Sequence, residues 1–379
     1  VGGRTVLILT GEPSGDRAAG PLARELQRAE PGLRVLAVGG PRLREAGAEI
    51  VQDIGQLGAM GFAEVVRQIP RLRSLEHRLR RLIDEVRPAA VVPIDYPGFN
   101  LRVARYARSR GVPVVYYIGP QVWAWGKGRV PRIAAAIDRM LVVFPFEVPI
   151  YREAGVRVDF VGHPLLDGLA ATSDRAAARR QLGVSDGSPL LALLPGSRVQ
   201  EIRRIFPAMV ETARRLRRER PELAAVASAA ASVPREEYDR VLAAADGSVR
   251  LHDDPAATLC AAADVALVTS GTATLEAALH GTPLAVLYRT SALTWALGRR
   301  LVKIPRIALV NIVAQEDLAA EFLQDDARAE RVAPHVAELL DRPERRRALA
   351  EKLRALRERL GAPGVARRAA AIVLEEART

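Results

Sequence analysis

Cysteine is almost absent: Cys260 stands alone in 379 residues. A lone thiol excludes an intramolecular disulfide framework and a cysteine-built zinc site, and it fits a reducing compartment, where it serves as a small buried hydrophobe. Lysine is nearly missing as well, present only at 127, 303 and 352, so the 56 basic residues are almost all arginine. The net charge of +12 suits nucleic acid, an anionic membrane surface or phosphorylated ligands equally. A bias toward Arg and Ala along the whole chain also follows from genomic base composition, so charge does not choose among these partners. Aromatics make up only 4% of residues, and no zinc-finger spacing, recognition-helix pattern or RNP-like strand accompanies the charge; no nucleic acid partner is expected. Long apolar runs are missing too. Gly, Pro or a charge interrupts every candidate, including residues 111–126, before the ~20 residues a membrane span needs, so membrane contact is expected to be peripheral. Residues 1–4 lead straight into an apolar run without the basic, apolar and small-residue order of a secretory signal, which points to the cytoplasm.

Two further absences narrow the chemistry. The Gly-x-Gly-x-x-Gly spacing is not found, which disfavours a nicotinamide or flavin enzyme. No Asp-x-Asp occurs, so a metal-clamped diphosphate is not expected, and His163, in Gly162-His163-Pro164, has no second histidine or cysteine at ligand spacing. The reading calls for no metal and no cofactor.

What the chain does contain is a repeated strand-and-helix alternation. Apolar runs at residues 5–9, 34–38, 89–94, 112–118 and 139–144 are separated by helical patterns such as 15–29 and 72–86. A second series follows at 190–194, 223–228, 249–252, 265–269 and 284–288. Short β-branched strands between amphipathic helices specify a parallel sheet covered on both faces. The length favours two such domains. We expect an α/β fold of two Rossmann-like doubly wound domains facing a cleft, with domains at 1–168 and 169–345. Residues 172–187 form the crossing region, and the helical tail 346–379 packs back toward the first domain.

The chemistry gathers where strands give way to helices. Ser270-Gly271-Thr272-Ala273-Thr274-Leu275-Glu276 follows an apolar strand and opens a helix, whose free N–H groups and dipole attract a diphosphate. Pro195-Gly196-Ser197-Arg198 makes a second such turn, and the Arg198 guanidinium at its mouth can take a diphosphate bidentately. Either turn alone is more often a structural cap than a ligand site, with Ser197 and Gln200 fitting a capping box, and Arg198 shifts that balance. Asp95 ends the strand 89–94 at the edge of the expected cleft, where it acts as a general base or caps the next helix; Asn100 is ambiguous in the same way. Ser14, Gly15 and Asp16, within Gly11-Glu12-Pro13-Ser14-Gly15-Asp16, are placed to hold an anionic acceptor group. Trp123 and Trp125, in a Gly-rich loop, grip a sugar or acyl chain or cover a core edge. Around Met60 and Phe62 an apolar patch precedes a helix whose Leu72, Leu75, Leu79, Leu82 and Val86 form a core stripe. Its Arg71, Arg73, Arg78 and Arg81 point elsewhere, either to solvent or to anionic headgroups.

Taken in order, a set of motifs resembles the bacterial lipid-A-disaccharide synthases over nearly the full length. The set is Gly11 to Asp16, Met60-Gly61-Phe62-Ala63-Glu64-Val65, Ile94 to Asn100, Val122-Trp123-Ala124-Trp125, Phe144-Pro145-Phe146-Glu147, Phe160 to Pro164, Leu194 to Arg198, Ser270 to Glu276 and Asn311-Ile312-Val313-Ala314. The resemblance implies an inverting, metal-independent GT-B transferase of lipid A biosynthesis. It would join UDP-2,3-diacylglucosamine to 2,3-diacylglucosamine 1-phosphate, releasing UDP and forming a β-1,6-linked disaccharide. It also implies a peripheral enzyme on the cytoplasmic face of the inner membrane, and the sequence admits a homodimer. By this resemblance Asp95 is the base for the acceptor 6-hydroxyl, Arg198 the diphosphate partner, Glu276 a ribose contact and Asn311 a nucleotide-side contact. Met60 and Phe62, with Trp295, are the expected acyl-chain walls. Gln315 stands where relatives often carry Gly, and Val310 where Pro is common. Two alternatives remain from the residues alone: a nucleotide-sugar epimerase of the same fold, and a basic nucleic-acid-binding protein.

Overall fold

The computed structural model describes residues 3–57, 62–124, 126–169, 174–253, 256–291, 295 and 305–378. The chain forms two compact units, Val1–Asp167 with Leu360–Thr379, and Gly168–Arg359.

In the first unit the strands are β1 (Thr5–Leu9), β2 (Arg34–Gly39), β3 (Glu49–Asp53), β4 (Ala90–Pro93), β5 (Val115–Tyr117), β6 (Arg139–Val142) and β7 (Arg157–Phe160). They run parallel in the orders β3-β2-β1-β4 and β5-β6-β7. Bridges between Val91 and Val114 and between Ile94 and Tyr117 join β4 to β5. Strand β1 is buried along its whole length, as a parallel strand covered on both faces must be. Under it Leu7, Leu9, Leu36 and Val38 pack with Leu75, Leu79 and Ile83 of the helix Phe62–Val86. The expected stripe of that helix is therefore its core face, with Ile83 added, and Arg71, Arg73, Arg78 and Arg81 are exposed.

In the second unit the strands are β8 (Leu190–Leu194), β9 (Ala224–Ser228), β10 (Arg250–His252), β11 (Val265–Thr269), β12 (Leu284–Tyr288) and β13 (Ala320–Leu323). Their order is β10-β9-β8-β11-β12-β13, all parallel. Both sheets thus reverse direction of winding after their first strand, between β1 and β4 and between β8 and β11, as in a Rossmann fold. Edge strands β3 and β13 carry polar residues and half-buried positions, and the apolar pattern of the sequence does not reveal them.

The helix Arg175–Gln181, in the expected crossing region and within the expected bounds 169–345, belongs to the second unit, where Arg175 donates to the carbonyl of Ala263 at 2.7 Å and Arg179 to that of Ala262 at 3.0 Å. Most of the helix Pro343–Leu360 also stays with that unit: Arg357 donates to the carbonyl of Leu279 and Arg359 to those of Val313 and Ala314. Only the last helix, Val365–Glu376, lies in the first unit, packed against the helix Pro13–Ala29. The Asp167 carboxylate caps it, accepting from Gly364, Val365 and Ala366 N–H at 2.6 to 3.0 Å.

Candidate functional site

Ligands of open α/β sheets bind beyond the carboxyl ends of the strands where the strand order reverses. In the first unit that point is flanked by the loops after β1 and β4, which carry Gly11 to Asp16 and Asp95 to Asn100. The two loops touch. The Tyr96 ring lies over Gly11 so closely that a Cβ there would stand 2.2 Å from Tyr96 Cγ, so only glycine fits. Asp95 and Tyr96 both adopt φ of 49°, a left-handed pair of non-glycine residues that costs on the order of 1–3 kcal/mol apiece. Such a conformation persists only where its surroundings over-determine it. Here the Asp95 N–H donates to the Tyr117 carbonyl at 3.2 Å, and the Asp95 carbonyl accepts from Asn100 Nδ2 at 2.8 Å and from the Tyr116 hydroxyl at 2.6 Å. The Asp95 side chain itself is half-buried at the strand end.

Two residues expected to meet substrate are otherwise engaged. Asn100 is fully buried, and its amide also reaches the carbonyls of Leu9 and Ile94 at 3.2 Å, so it ties the β1 and β4 loops together. Asp16 is 2% exposed, and its carboxylate accepts from the N–H groups of Gly40 at 2.7 Å, Arg42 at 2.9 Å and Leu43 at 3.3 Å. It caps the short helix Pro41–Glu45. Ser14 is exposed in the first turn of its helix, and Gly15 packs against Thr10. Met60 and Trp125 lie outside the described residues, and Phe62 is described only as the first residue of its helix.

Next along the sheet edge, the loop after β5 begins with Ile118 at φ 60°, a second strained position. Trp123, on that loop, donates its indole N–H to Glu147 Oε1 at 3.2 Å and meets Phe146 edge-on at 5.4 Å. Phe146 stacks on Phe144 at 5.2 Å, and Phe144 contacts the His163 ring at 5.4 Å. Glu147 is 1% exposed and accepts a second bond from the Phe144 N–H at 3.2 Å. Burial pushes its carboxyl up to about 7, and burial with the nearby Arg17 charge pushes His163 down to about 4. The motif Phe144 to Glu147 was legible in the sequence, but its coupling to Trp123 across 24 positions was not.

In the second unit the reversal point lies between the loops after β8 and β11. The first of these is closed by its own helix. Glu201 Oε2 accepts the N–H groups of Ser197 at 2.9 Å and Arg198 at 3.2 Å, so the capping residue is Glu201, not the Ser197 and Gln200 pair. The expected anion site at this helix N-terminus is filled by that carboxylate. Arg198 lies 3.6 Å from Glu201 Oε1 with its side chain 51% exposed, and Ser197 is exposed. The loop after β11 is the opposite case. Ser270 N–H pairs with Leu287 at 3.1 Å and Ser270 Oγ with the Ile307 carbonyl at 3.4 Å. Gly271 then enters the helix Thr272–His280 at φ 159° and ψ −162°, a region open essentially to glycine alone, with empty space where a Cβ would be. Its N-cap residue, Gly271, brings no side chain to cap it. Glu276 lies one turn beyond Thr272 on the same face.

Asn311 is also otherwise engaged. It is 1% exposed; Nδ2 donates to the Ala319 carbonyl at 2.8 Å and to Glu321 Oε1 at 2.9 Å, and Oδ1 accepts from Ala319 N–H at 2.9 Å. Glu321 in turn accepts from Ile307 and Ala308 N–H at 2.9 and 3.0 Å. Asn311 therefore fastens the segment ahead of its helix to edge strand β13, with both ends of its amide bonded within the protein. Trp295 packs near Tyr288, with ring centroids 6.5 Å apart.

Comparison with known proteins bears on this arrangement. The Lipid-A-disaccharide synthetase family profile matches residues 6–375. The lipid-A-disaccharide synthase of Syntrophus aciditrophicus is 43% identical over 98% of this chain and 97% of its own length. That of Geobacter sulfurreducens is 42% identical over 98% and 96%. The solved UDP-GlcNAc 2-epimerase from Neisseria meningitidis, bound to UDP-GlcNAc, superposes with a TM-score of 0.60 over 98% of this chain and 99% of its own, at 13% identity. That likeness shows the fold alone, the two-Rossmann class of GT-B enzymes, and carries nothing of the epimerase reaction over. Full-length identity above 40% does more, and on it the chain belongs to the lipid-A-disaccharide synthase family.

Proposed function

We propose that this glycosyltransferase, which forms the lipid A disaccharide, uses Asp95 as its base and Arg198 as the partner of the departing diphosphate. The donor is UDP-2,3-diacylglucosamine and the acceptor 2,3-diacylglucosamine 1-phosphate. Asp95 takes the proton of the acceptor 6-hydroxyl while that oxygen bonds to the anomeric carbon. The bond from that carbon to the UDP oxygen breaks on the opposite face, and UDP leaves with the electron pair, so the configuration inverts. The observation that carries the reading is the strained, doubly held Asp95 at the first reversal point.

On the donor side the open N-terminus of the helix Thr272–His280 supports a diphosphate at the Ser270 to Thr272 amides, with the Arg198 guanidinium beside it and Glu276 on the ribose. Without an Asp-x-Asp to clamp it through a metal, the diphosphate charge falls to these groups. The acyl chains keep both substrates in a membrane, and contact with the anionic inner-membrane surface is peripheral. No helix among the described residues is long and apolar enough to cross a membrane, and exposed Arg71, Arg73, Arg78 and Arg81 offer charge to headgroups. Phe62→Asp is expected to weaken liposome binding while leaving UDP affinity intact.

The test is UDP release from UDP-2,3-diacylglucosamine with and without acceptor, for wild type and Asp95→Asn. Acceptor-dependent release that falls on the order of 10²–10⁴-fold in the folded variant is expected. Wild-type protein that binds UDP but releases none from this donor in any lipid or detergent condition would overturn the reading.

A further inference from the structure

Tyr116 sits in the middle of β5 with no exposed surface, among the aliphatic and aromatic side chains of the first core. Packing alone asks for phenylalanine there, because a buried hydroxyl is costly unless it finds a partner. The partner is specific: the hydroxyl donates at 2.6 Å to the carbonyl of Asp95 on the neighbouring loop. Burial, with the Asp95 charge adding to it, pushes the phenol well above its ordinary value, so it stays a donor at any working pH.

We propose that Tyr116 is a positioning residue for the transfer, its hydroxyl holding the Asp95 backbone in the left-handed conformation that presents the carboxylate to the acceptor. This rests on the reading of Asp95 as the base. Asp95 and Tyr96 are consecutive non-glycine residues at φ 49°; aspartate tolerates that state better than most, but the bulky Tyr96 does not, so the pair needs holding. Three bonds oppose its relaxation: Asp95 N–H to Tyr117, Asn100 Nδ2 to the Asp95 carbonyl, and Tyr116 to that same carbonyl. Asn100 reaches that carbonyl from the following helix and ties it to the Ile94 carbonyl and to that of Leu9 on the β1 side. Tyr116 reaches it from β5, so it references the turn to the strand on the other side.

The experiment compares Tyr116→Phe with wild type and repeats the change in the Asp95→Asn background, measuring kcat, acceptor KM, UDP affinity and thermal melting. Tyr151→Phe, which removes another buried hydroxyl bond in this core, to the Pro120 carbonyl at 3.1 Å, controls for destabilisation alone. A shift of the carboxylate by less than 1 Å predicts a fall in kcat of about tenfold, acceptor KM and UDP affinity staying near wild type. The same change is expected to be silent where Asp95 is already Asn, because the two act through one group. The proposal is overturned if Tyr116→Phe leaves kcat within about twofold, matches Tyr151→Phe in every parameter, or loses the same factor in both backgrounds. If Asp95→Asn itself keeps wild-type kcat, the base reading has failed, and that outcome is distinct from the others.

Discussion

The loops at the β1/β4 reversal of the first unit and at the β8/β11 reversal of the second stand at the same place in the same strand order, yet their polar groups are used in opposite ways. In the first unit the polar groups near the turn are engaged internally, Asn100 Oδ1 apart: Asp16 by three N–H groups, the Asn100 Nδ2 amide by three carbonyls, and the Asp95 carbonyl by two donors. In the second unit one helix start is closed by Glu201, while the other has Gly271 as its N-cap, which brings no side-chain acceptor of its own. The proposed base is held in one place by internal bonds. The proposed phosphate site needs N–H groups left for a ligand, and a side chain already on them defeats it. Two strand-to-helix turns that look alike in sequence are thus separated by one carboxylate.

Removing Arg198 is expected to give the largest effect on the second unit's side of this contrast. Loss of a charge-assisted bond of about 1.5–3 kcal/mol predicts a drop in kcat/KM of roughly 10- to 100-fold for Arg198→Ala. Arg198→Lys recovers only part of it, since the fork is lost with the charge kept. Gly271→Val should weaken UDP binding on the order of tenfold, because valine cannot hold that backbone region and the turn must shift. Glu201→Ala tests the closed turn: a melting experiment should show a loss of about 1 kcal/mol, with UDP affinity little changed. If Glu201→Ala damaged UDP binding as badly as Gly271→Val, the contrast between the two turns would break.

The next effect belongs to the first unit and is read as stability against pH. Glu147, at about 7 in the folded protein, binds its proton more tightly than an unfolded glutamate, so its contribution is present below about 4.5 and lost as pH rises through 7. His163, at about 4, runs the other way, its contribution present above about 6.5 and lost as pH falls through 4. The two slopes oppose between about 4.5 and 6.5. Glu147→Gln should therefore unmask stability that rises with pH across that window, a change of at most roughly 3 kcal/mol in denaturant midpoints compared at two pH values. Tyr151, whose phenol burial pushes up, stays neutral over the range. An unchanged profile in the variant would remove Glu147 from the account.

The smallest expected effect is a gain. Gln315 ends the helix Leu309–Ala314 at φ 55°, the left-handed position where helices favour glycine. Gln315→Gly should raise stability by about 1 kcal/mol in thermal melting, with activity unchanged.

How much was legible before any coordinates follows the same physics. Continuous apolar runs gave β1, β8 and β11 directly, because a parallel strand buried on both faces has no polar side to hide its pattern. Glu49–Asp53 and Ala320–Leu323 were invisible because edge strands are half-solvated and mix polar with apolar residues. Asp95, Arg198 and the Ser270 to Thr272 turn could be singled out because each follows a readable strand end. The supporting roles of Asp16, Asn100 and Asn311 could not, since each depends on which backbone groups arrive from elsewhere, the Leu9 carbonyl from 91 positions away in the case of Asn100.

The sequence by itself determined the two-sheet architecture, the family and the positions of the charged groups, because periodicity, strand ends and residue types are local properties of the chain. Only the tertiary structure decided which of those groups are consumed within the protein. Hydrogen-bond satisfaction is settled by contacts between distant segments, and no local pattern records whether a carboxylate or amide has already found its partner.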